Sequence, residues 1–187
     1  MSKADEIKEC AVHLIALHGF ESVSLRQMAK AVGIQAGSMY VHYRNKSELL
    51  QEIVLDYFDE LVSMWFEHKR GVEGAAQLLD KYIWLYVNYH YSKPEESAIV
   101  RLDRRSLSPE GRGLVDELYL IYEAELEKIL REGSCCGVFK VRDIGLTAAG
   151  IIALMSGTCA VYCVSDMLDK QLVGGLMTEL VAGMVGR

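Results

Sequence analysis

The chain has 187 residues, which is enough for one domain with a sizeable core or for two small ones, and 51% of its residues are hydrophobic. Its formal net charge of −6 argues against a protein that coats nucleic acid without sequence preference. Its only prolines, Pro94 and Pro109, leave room for long helices, so we expect an all-α fold.

The charges are unevenly distributed along the chain. Residues 1–50 carry six Lys or Arg against five Asp or Glu, whereas residues 51–187 carry 14 against 21. The field at a binding surface depends on nearby charges more than on the net sum. The acidic excess therefore leaves open a specific DNA-binding surface near the N-terminus.

The N-terminal ten residues, MSKADEIKEC, are charged and lack the apolar stretch of a secretory signal. We therefore expect a cytoplasmic protein whose five cysteines are reduced. Cys135 and Cys136 are adjacent in a predicted loop, GSCCG, and Cys159 and Cys163 lie one helical turn apart. These cysteines could be small buried apolar residues or could act as redox sensors. No histidine lies near either pair, so we predict no metal site and no cofactor.

The first predicted helix covers residues 3–18 and ends at Gly19. Two short helices joined by a tight turn are then predicted within residues 24–46, SLRQMAKAVGIQAGSMYVHYRNK. Ser24 is a natural N-cap for the first of them, and Gly33 ends it because glycine tolerates a positive φ. The second runs over about residues 36–43 and begins with small residues. This is the layout of a helix-turn-helix, whose second helix enters the major groove of DNA.

The same stretch resembles the DNA-binding signature of the tetracycline-repressor-like (TetR) family of bacterial regulators. The residues that carry the resemblance are Phe20, Ser24, Met28-Ala29, Gly33-Ile34, Gly37-Ser38-Met39-Tyr40, His42-Tyr43, Lys46 and Leu49-Leu50. It implies an N-terminal DNA-binding domain, a C-terminal domain for ligand binding and dimerisation, and a repressor function. The length and the helical pattern of the remaining chain suit that family.

The resemblance places Tyr40 and His42 at the DNA backbone and Lys46 on a phosphate, although the two aromatic residues could also be core. Tyr43, in contrast, has the spacing of a core residue. Gln35 is expected to contact adenine and Val41 a thymine methyl group. The other expected DNA contacts are Ser24, Arg26, Gln27, Ala36, Gly37 and Ser38, of which Arg26 and Gln27 could equally form a solvated face.

A long helix is predicted to begin at Asn45 or Lys46 and to connect the two parts of the chain. We place the functional boundary near residue 47, with domains at 1–47 and 48–187, and a break at residues 71–74. Further helices are predicted over residues 75–91, 95–105, 109–132, 143–164 and 166–185.

The helix at residues 75–91 is rich in aromatic residues, which could be core or could line a ligand pocket. The arginines Arg101, Arg104 and Arg105 could be a solvated face or could bind an anion. The segments RLDRRSLSPEGRGLV and YEAELEKILREGSCCGVFKVRD resemble TetR-type regulators that respond to acyl-CoA thioesters, which implies an acyl-CoA or another apolar anion as effector. The candidate ligand residues are Tyr82, Tyr86, Tyr89, Arg101, Arg104, Arg105, Tyr122, Met155 and Cys159.

Residues 144–165 are 22 consecutive uncharged residues, long enough to cross a bilayer. Several are small or carry hydroxyl groups, and Asp143 and Asp166 rather than Lys or Arg bound the run, so we expect no membrane span. We expect instead a helix buried all round, packed in its own domain and against a partner subunit. Leu168, Leu172, Leu176, Leu180 and Met184 line one side of the last helix. As the resemblance implies, the two helices are expected to form a four-helix interface in a homodimer.

The sequence thus predicts a homodimeric regulator that a small molecule releases from a palindromic operator. No nucleophile–base constellation and no Gly-rich phosphate loop is present, so we do not expect an enzyme. The alternative is a small-molecule-binding or thiol-redox sensor whose N-terminal part has no DNA function.

Overall fold

The computed structural model describes residues 2–162 and 169–187, which are helical apart from turns and short connections. Its α-helices are α1 (Lys3–His18), α2 (Leu25–Val32), α3 (Ala36–His42), α4 (Lys46–His68), α5 (Ala75–Ser92), α6 (Pro94–Asp103), α7 (Pro109–Cys135), α8 (Ile144–Tyr162) and α9 (Lys170–Met184). Two 3₁₀ turns lie at Phe20–Ser22 and Arg104–Ser106. The predicted all-α fold is confirmed.

Packing divides the chain into two compact units. The first contains residues 1–58 and 95–116, and the second contains residues 59–94 and 117–187. Both α4 and α7 contribute residues to each unit. The functional boundary predicted near residue 47 is a separate matter, and it stays a prediction.

Local signals fix the beginning and end of α2. The hydroxyl of Ser24 accepts a hydrogen bond from the backbone N–H of Gln27, and the Gln27 carboxamide oxygen accepts one from the backbone N–H of Ser24. This reciprocal pair satisfies two N–H groups that the helix itself leaves unbonded. Gly33 ends α2 in the left-handed region, at φ 74°, as predicted.

A buried core joins α1, α2, α3 and the start of α4 in the first unit. Its larger members are Ile7, Ile15, Phe20, Leu25, Met28, Met39, Tyr43, Leu49, Leu50 and Ile53. Tyr43 is 3% exposed, which confirms its predicted core position. The Tyr43 hydroxyl donates a hydrogen bond to Glu52 (3.2 Å), and Lys8 pairs with Glu52 and Asp56. These contacts brace α1 and the end of α3 against α4.

Helix α6 belongs to the same unit as the N-terminal helices and contacts them at both of its ends. Glu95, in its first turn, lies 2.8 Å from Nδ1 of His13 on α1. At the other end, the carboxylate of Asp103 accepts a hydrogen bond from the backbone N–H of Phe20. Burial nevertheless raises the pKa of Asp103 above its ordinary value, which that hydrogen bond opposes.

Two boundaries differ from the prediction. Helix α6 ends at Asp103, and Arg104–Ser106 is a 3₁₀ turn rather than more α-helix. Helix α7 continues through Gly133 to Cys135, although GSCCG was expected to be a loop. The ring of Phe139 lies over Gly133, where an added Cβ would come within 2.1 Å of it. The helix therefore gains a packing contact at Gly133, and Gly137, at φ 73°, follows its end.

Residues 163–168, between α8 and α9, are outside the part of the chain that the structure describes. The predicted end near residue 164, the predicted start near residue 166, and the side chains of Cys163 and Leu168 all lie outside the described residues. Asp169 caps α9 by accepting a hydrogen bond from the backbone N–H of Gln171 (3.1 Å).

Candidate DNA-binding surface and effector site

One face of α3 is buried and the other lies in solvent. Met39 is fully buried, whereas Tyr40 is 52% exposed and Val41 is 83% exposed. His42, Gly37 and Ser38 are exposed as well. A valine side chain so accessible contributes nothing to the core of this unit, and a groove-binding helix presents its side chains in this way.

The expected contacts that precede α3 have mixed surroundings. Gln35 is exposed next to the first turn of α3, and Ala36 is half-buried. Arg26 is exposed at the start of α2. Ser24 and Gln27 form the cap of α2, so a phosphate contact from Gln27 would use its NH₂ group. The S-x-x-Q spacing is a capping-box signal, and it could have indicated this role from the sequence.

The ammonium group of Lys46 points at the 3₁₀ turn. It donates a hydrogen bond to the carbonyl oxygen of Phe20 (2.6 Å) and lies 3.5 Å from that of Glu21. It also sits 4.1 Å from the centre of the Phe20 ring. An ammonium group has three donors, so these contacts leave a donor for a DNA phosphate. Lys46 therefore braces the turn between α1 and α2, which the sequence analysis did not anticipate.

A cluster of stacked aromatic residues occupies the interior of the second unit. The rings of Tyr82 and Tyr122 stack with centroids 4.4 Å apart, and the Tyr82 hydroxyl donates to the backbone carbonyl of Tyr122 (3.0 Å). The Tyr86 ring stacks on His90 at 3.9 Å, and its hydroxyl lies 2.7 Å from Oγ of Ser156. Burial raises the pKa of Tyr82 and Tyr122 well above their ordinary values, so both phenols are neutral at neutral pH.

The other candidate ligand residues divide between the two units. Tyr89, Met155 and Cys159 are buried in the second unit with the aromatic cluster. The three arginines belong to the first unit, where Arg101 and Arg105 are exposed and Arg104 pairs with Asp116. The described structure thus brings the aromatic candidates together and keeps the arginines in a separate group. His90 and Ser156 are polar members of the cluster that the sequence analysis missed.

Helices α8 and α9 each present an apolar stripe to solvent. On α8 the exposed positions recur at helical spacing, namely Leu146, Ala149, Ala153, Gly157 and Val161. On α9 they include Leu172, Leu176, Leu180 and Met184. Its neighbours α5 and α9 cover one side of α8 and leave this stripe exposed in the single chain. The expectation that a partner subunit covers the other side stays a prediction.

Helix α8 is also long and apolar enough to cross a membrane by length and composition. Its segment Ile144–Val161 has a mean hydropathy of 1.9, and 28% of that segment is buried in the chain. A helix that packs against a partner subunit has the same composition, so this property alone is weak evidence for a membrane span.

Comparison with protein families matches most of the chain in two separate segments. Residues 7–53 match the model described as "Bacterial regulatory proteins, tetR family". Residues 73–162 match the model described as "Tetracyclin repressor-like, C-terminal domain". The chain belongs to the TetR family. The resemblance seen in the helix-turn-helix is thereby confirmed, and the family is one of regulatory proteins.

Two curated TetR-family relatives match to different extents. The HTH-type transcriptional repressor KstR2 of Mycolicibacterium smegmatis is 27% identical over 86 residues, which are 46% of this chain and 40% of that protein. The fatty acid metabolism regulator protein of Bacillus subtilis is 24% identical over 167 residues, 86% of this chain and 84% of that protein.

Solved TetR-family structures share the fold over nearly the whole chain. A regulatory protein from Rhodococcus RHA1 superposes with a TM-score of 0.92 at 22% identity and covers 99% of this chain and 97% of its own. The regulator AibR, solved with isovaleryl coenzyme A and operator DNA, superposes with a TM-score of 0.86 at 19% identity over 96% and 97%. At such identities the likeness shows the fold alone.

Proposed function

We propose that this TetR-family chain is a cytoplasmic, homodimeric repressor that a small molecule releases from a palindromic operator. The observation that carries the proposal is the solvent-exposed face of α3, whose opposite face packs into the core of the first unit through Met39. That face presents the apolar side chain of Val41 beside the hydrogen-bonding groups of Tyr40 and His42. Gln35, Ala36, Gly37 and Ser38 complete the recognition surface, and Ser24, Arg26, Gln27 and Lys46 contact phosphates beside it.

The proposal is tested by selecting duplexes from a random library with the purified chain. A homodimer places two copies of α3 in successive major grooves, about 34–36 Å apart. The selected duplexes should therefore contain two inverted half-sites separated by about one helical turn. Failure to retain any duplex would favour the alternative, a small-molecule or thiol sensor, for which the exposed Cys135 and Cys136 would be the first candidates.

Lys46→Ala is expected to weaken binding to every duplex and to reduce the salt slope. Loss of one phosphate contact lowers the slope of log K against log salt by about one unit. The measurement is a salt titration of operator affinity, with Arg131→Ala as control because that exposed arginine lies on α7 and pairs with Glu127. Weaker binding with an unchanged slope would mean that Lys46 acts only by bracing the 3₁₀ turn.

The effector we propose is an elongated, partly apolar anion, with an acyl-CoA thioester as the leading candidate. Its acyl chain would lie among Tyr82, Tyr86, Tyr89 and Tyr122, with Met155 and Cys159 beside them in the second unit. Recognition of an anionic group by Arg101, Arg104 and Arg105, which belong to the first unit, is a separate proposal. Support comes from the burial of this aromatic cluster, whose rings offer apolar surface to an acyl chain. AibR, with isovaleryl coenzyme A, is a precedent for this class of ligand within the fold.

Among acyl-CoA thioesters, free acids and neutral apolar compounds, the thioesters are expected to release the operator at the lowest concentration. Replacing Arg101, Arg104 and Arg105 together by Ala should raise the required concentration at least about 10-fold, since each lost charge-assisted hydrogen bond is worth about 1.5–3 kcal/mol. Arg131→Ala is again the control. Release by neutral compounds alone, or an unchanged response of the triple variant, would contradict the anionic effector but not the regulator function.

Release requires an effector that binds the DNA-incompetent state more tightly than the DNA-competent one. Two structural features offer a route for this coupling. Both α4 and α7 contribute residues to each unit. Helix α6 contacts the N-terminal helices through Glu95 and Asp103. Asp103 accepts from the backbone N–H of Phe20, and Lys46 donates to the backbone carbonyl of the same residue. A shift of α6 would thus move the 3₁₀ turn at Phe20–Ser22, which precedes α2 and α3.

A further inference from the structure

A surface cleft of about 220 Å³ lies entirely within the second unit. Its walls are the C-terminal end of α4, the turn that follows, the start of α5 and the C-terminal half of α7. None of the candidate ligand residues discussed above lines it. Ligand pockets for drug-sized molecules are typically about 300–1,000 Å³, so this cleft suits a smaller molecule and cannot hold an acyl-CoA.

The floor of the cleft is apolar. Trp65, Val72, Leu78 and Ile129 line it, and both Trp65 and Ile129 are buried. Behind Trp65, the Tyr82 ring packs edge-on with centroids 5.1 Å apart. Because the tyrosine fixes the indole from behind, Trp65 is a rigid base, and the half-buried Val72 and Leu78 supply the accessible apolar surface.

One carboxylate in the wall is already engaged through its Oε2 oxygen. Glu125 accepts a hydrogen bond from the indole N–H of Trp65 (2.8 Å) and a second from the ammonium group of Lys69. Burial works to raise the pKa of Glu125, but these two hydrogen bonds and the charges of Lys69 and Lys128 together outweigh it, and the pKa is lowered. Lys69 is held in addition over the Phe66 ring, 4.0 Å from its centre. Glu125 and Lys69 therefore neutralise each other.

The charges that remain at the mouth are Arg70, Lys128 and Glu132. Within residues 2–162 and 169–187, no carboxylate lies within ion-pair distance of the guanidinium group of Arg70 or the ammonium group of Lys128. Two cationic side chains and one carboxylate thus border the apolar floor, and both cationic groups have N–H donors available for hydrogen bonds. A ligand that satisfies both features has an apolar body and one anionic group.

We propose that this cleft binds a small amphipathic carboxylate whose apolar body rests on Val72 and Leu78, next to the buried Trp65, and whose carboxylate pairs with Arg70 and Lys128. The site is separate from the proposed acyl-CoA site, and it stands whether or not that effector is correct. The arginine supplies a planar fork that matches a carboxylate, and the lysine adds a second positive charge.

Calorimetric titration with phenylacetate and isovalerate, each compared with its neutral amide, tests the proposal. The acids should bind saturably, and the amides should bind at least about 10-fold more weakly because they lose the charge-assisted hydrogen bonds. Arg70→Ala and Lys128→Ala should each weaken phenylacetate binding by about 10-fold on the same grounds. Arg131→Ala, on the same helix but outside the cleft, should leave binding unchanged.

The indole N–H resonances locate the bound acid independently, because the chain has two tryptophans, Trp65 and Trp84. The Trp65 resonance, assigned by its loss in Trp65→Phe, should shift on addition of phenylacetate. Absence of saturable binding by both acids, equal affinity for acid and amide, or unchanged binding by an Arg70→Ala, Lys128→Ala double variant would overturn the proposal. A shift of Trp84 with Trp65 unmoved would overturn it as well.

Discussion

Gly157→Glu is expected to yield a folded monomer that has lost most of its affinity for the operator. Gly157 is exposed on α8, within the apolar stripe that contains Ala153 and Val161. A Cβ at this position would meet no atom within 4 Å, so the single chain can accommodate the new side chain. In the proposed dimer the same carboxylate would be buried without a partner, at a cost of several kcal/mol.

Sedimentation should show a monomer, and the helical circular dichroism should match that of the unaltered chain. Operator affinity should fall by about 100-fold or more, because a bound protomer no longer holds a second protomer next to the other half-site. Gly113→Glu is the matched control, since Gly113 is likewise an exposed helical glycine with open space around it, but on α7. A dimer of normal size in Gly157→Glu would contradict the placement of the interface on α8 and α9.

Acidification from pH 7 to pH 4 is expected to lower the free energy of unfolding by about 3 kcal/mol through His90 alone. His90 is 8% exposed, and its Nδ1 lies 2.9 Å from the carbonyl oxygen of Tyr86. Burial lowers the pKa of His90 from 6.5 to about 4, although that hydrogen bond opposes the shift. The unfolded chain therefore binds a proton between pH 6.5 and pH 4 that the folded chain does not. Stability is thus fully present above pH 6.5 and is lost as the pH falls.

Urea unfolding at a fixed protomer concentration, repeated between pH 4 and pH 8, measures this contribution. His90→Phe keeps an aromatic ring against Tyr86 and removes the titrating group, so its stability should depend less steeply on pH. His68→Gln is the control, because His68 makes the same bond to the carbonyl oxygen four residues earlier (Met64, 2.8 Å) at an exposed position. Equal pH dependence of His90→Phe and the unaltered chain would contradict the assignment to His90.

Several features of this protein follow from residues close together in the sequence. Ser24 and Gly33 fix the ends of α2, because a cap and a left-handed glycine act within one helical turn. The burial of Tyr43 follows from its spacing relative to Met39 on α3. The helix-turn-helix and its family could therefore be predicted from about a quarter of the chain. The apolar stripe of α9 could be predicted in the same way.

Other features depend on contacts between residues far apart in the chain. Lys46 reaches the carbonyl of Phe20 across 26 positions, and Glu125 binds Trp65 across 60. Helix α6 joins the first unit through His13 and Phe20, although the sequence places it within the C-terminal part. Helix α7 runs through Gly133 because Phe139 returns to pack on it. Propensity and capping act over about four residues and so determine where helices begin and end. Which helices pack together, and hence which side chains meet, is decided by burial of apolar surface across the whole chain, and no local pattern encodes that choice.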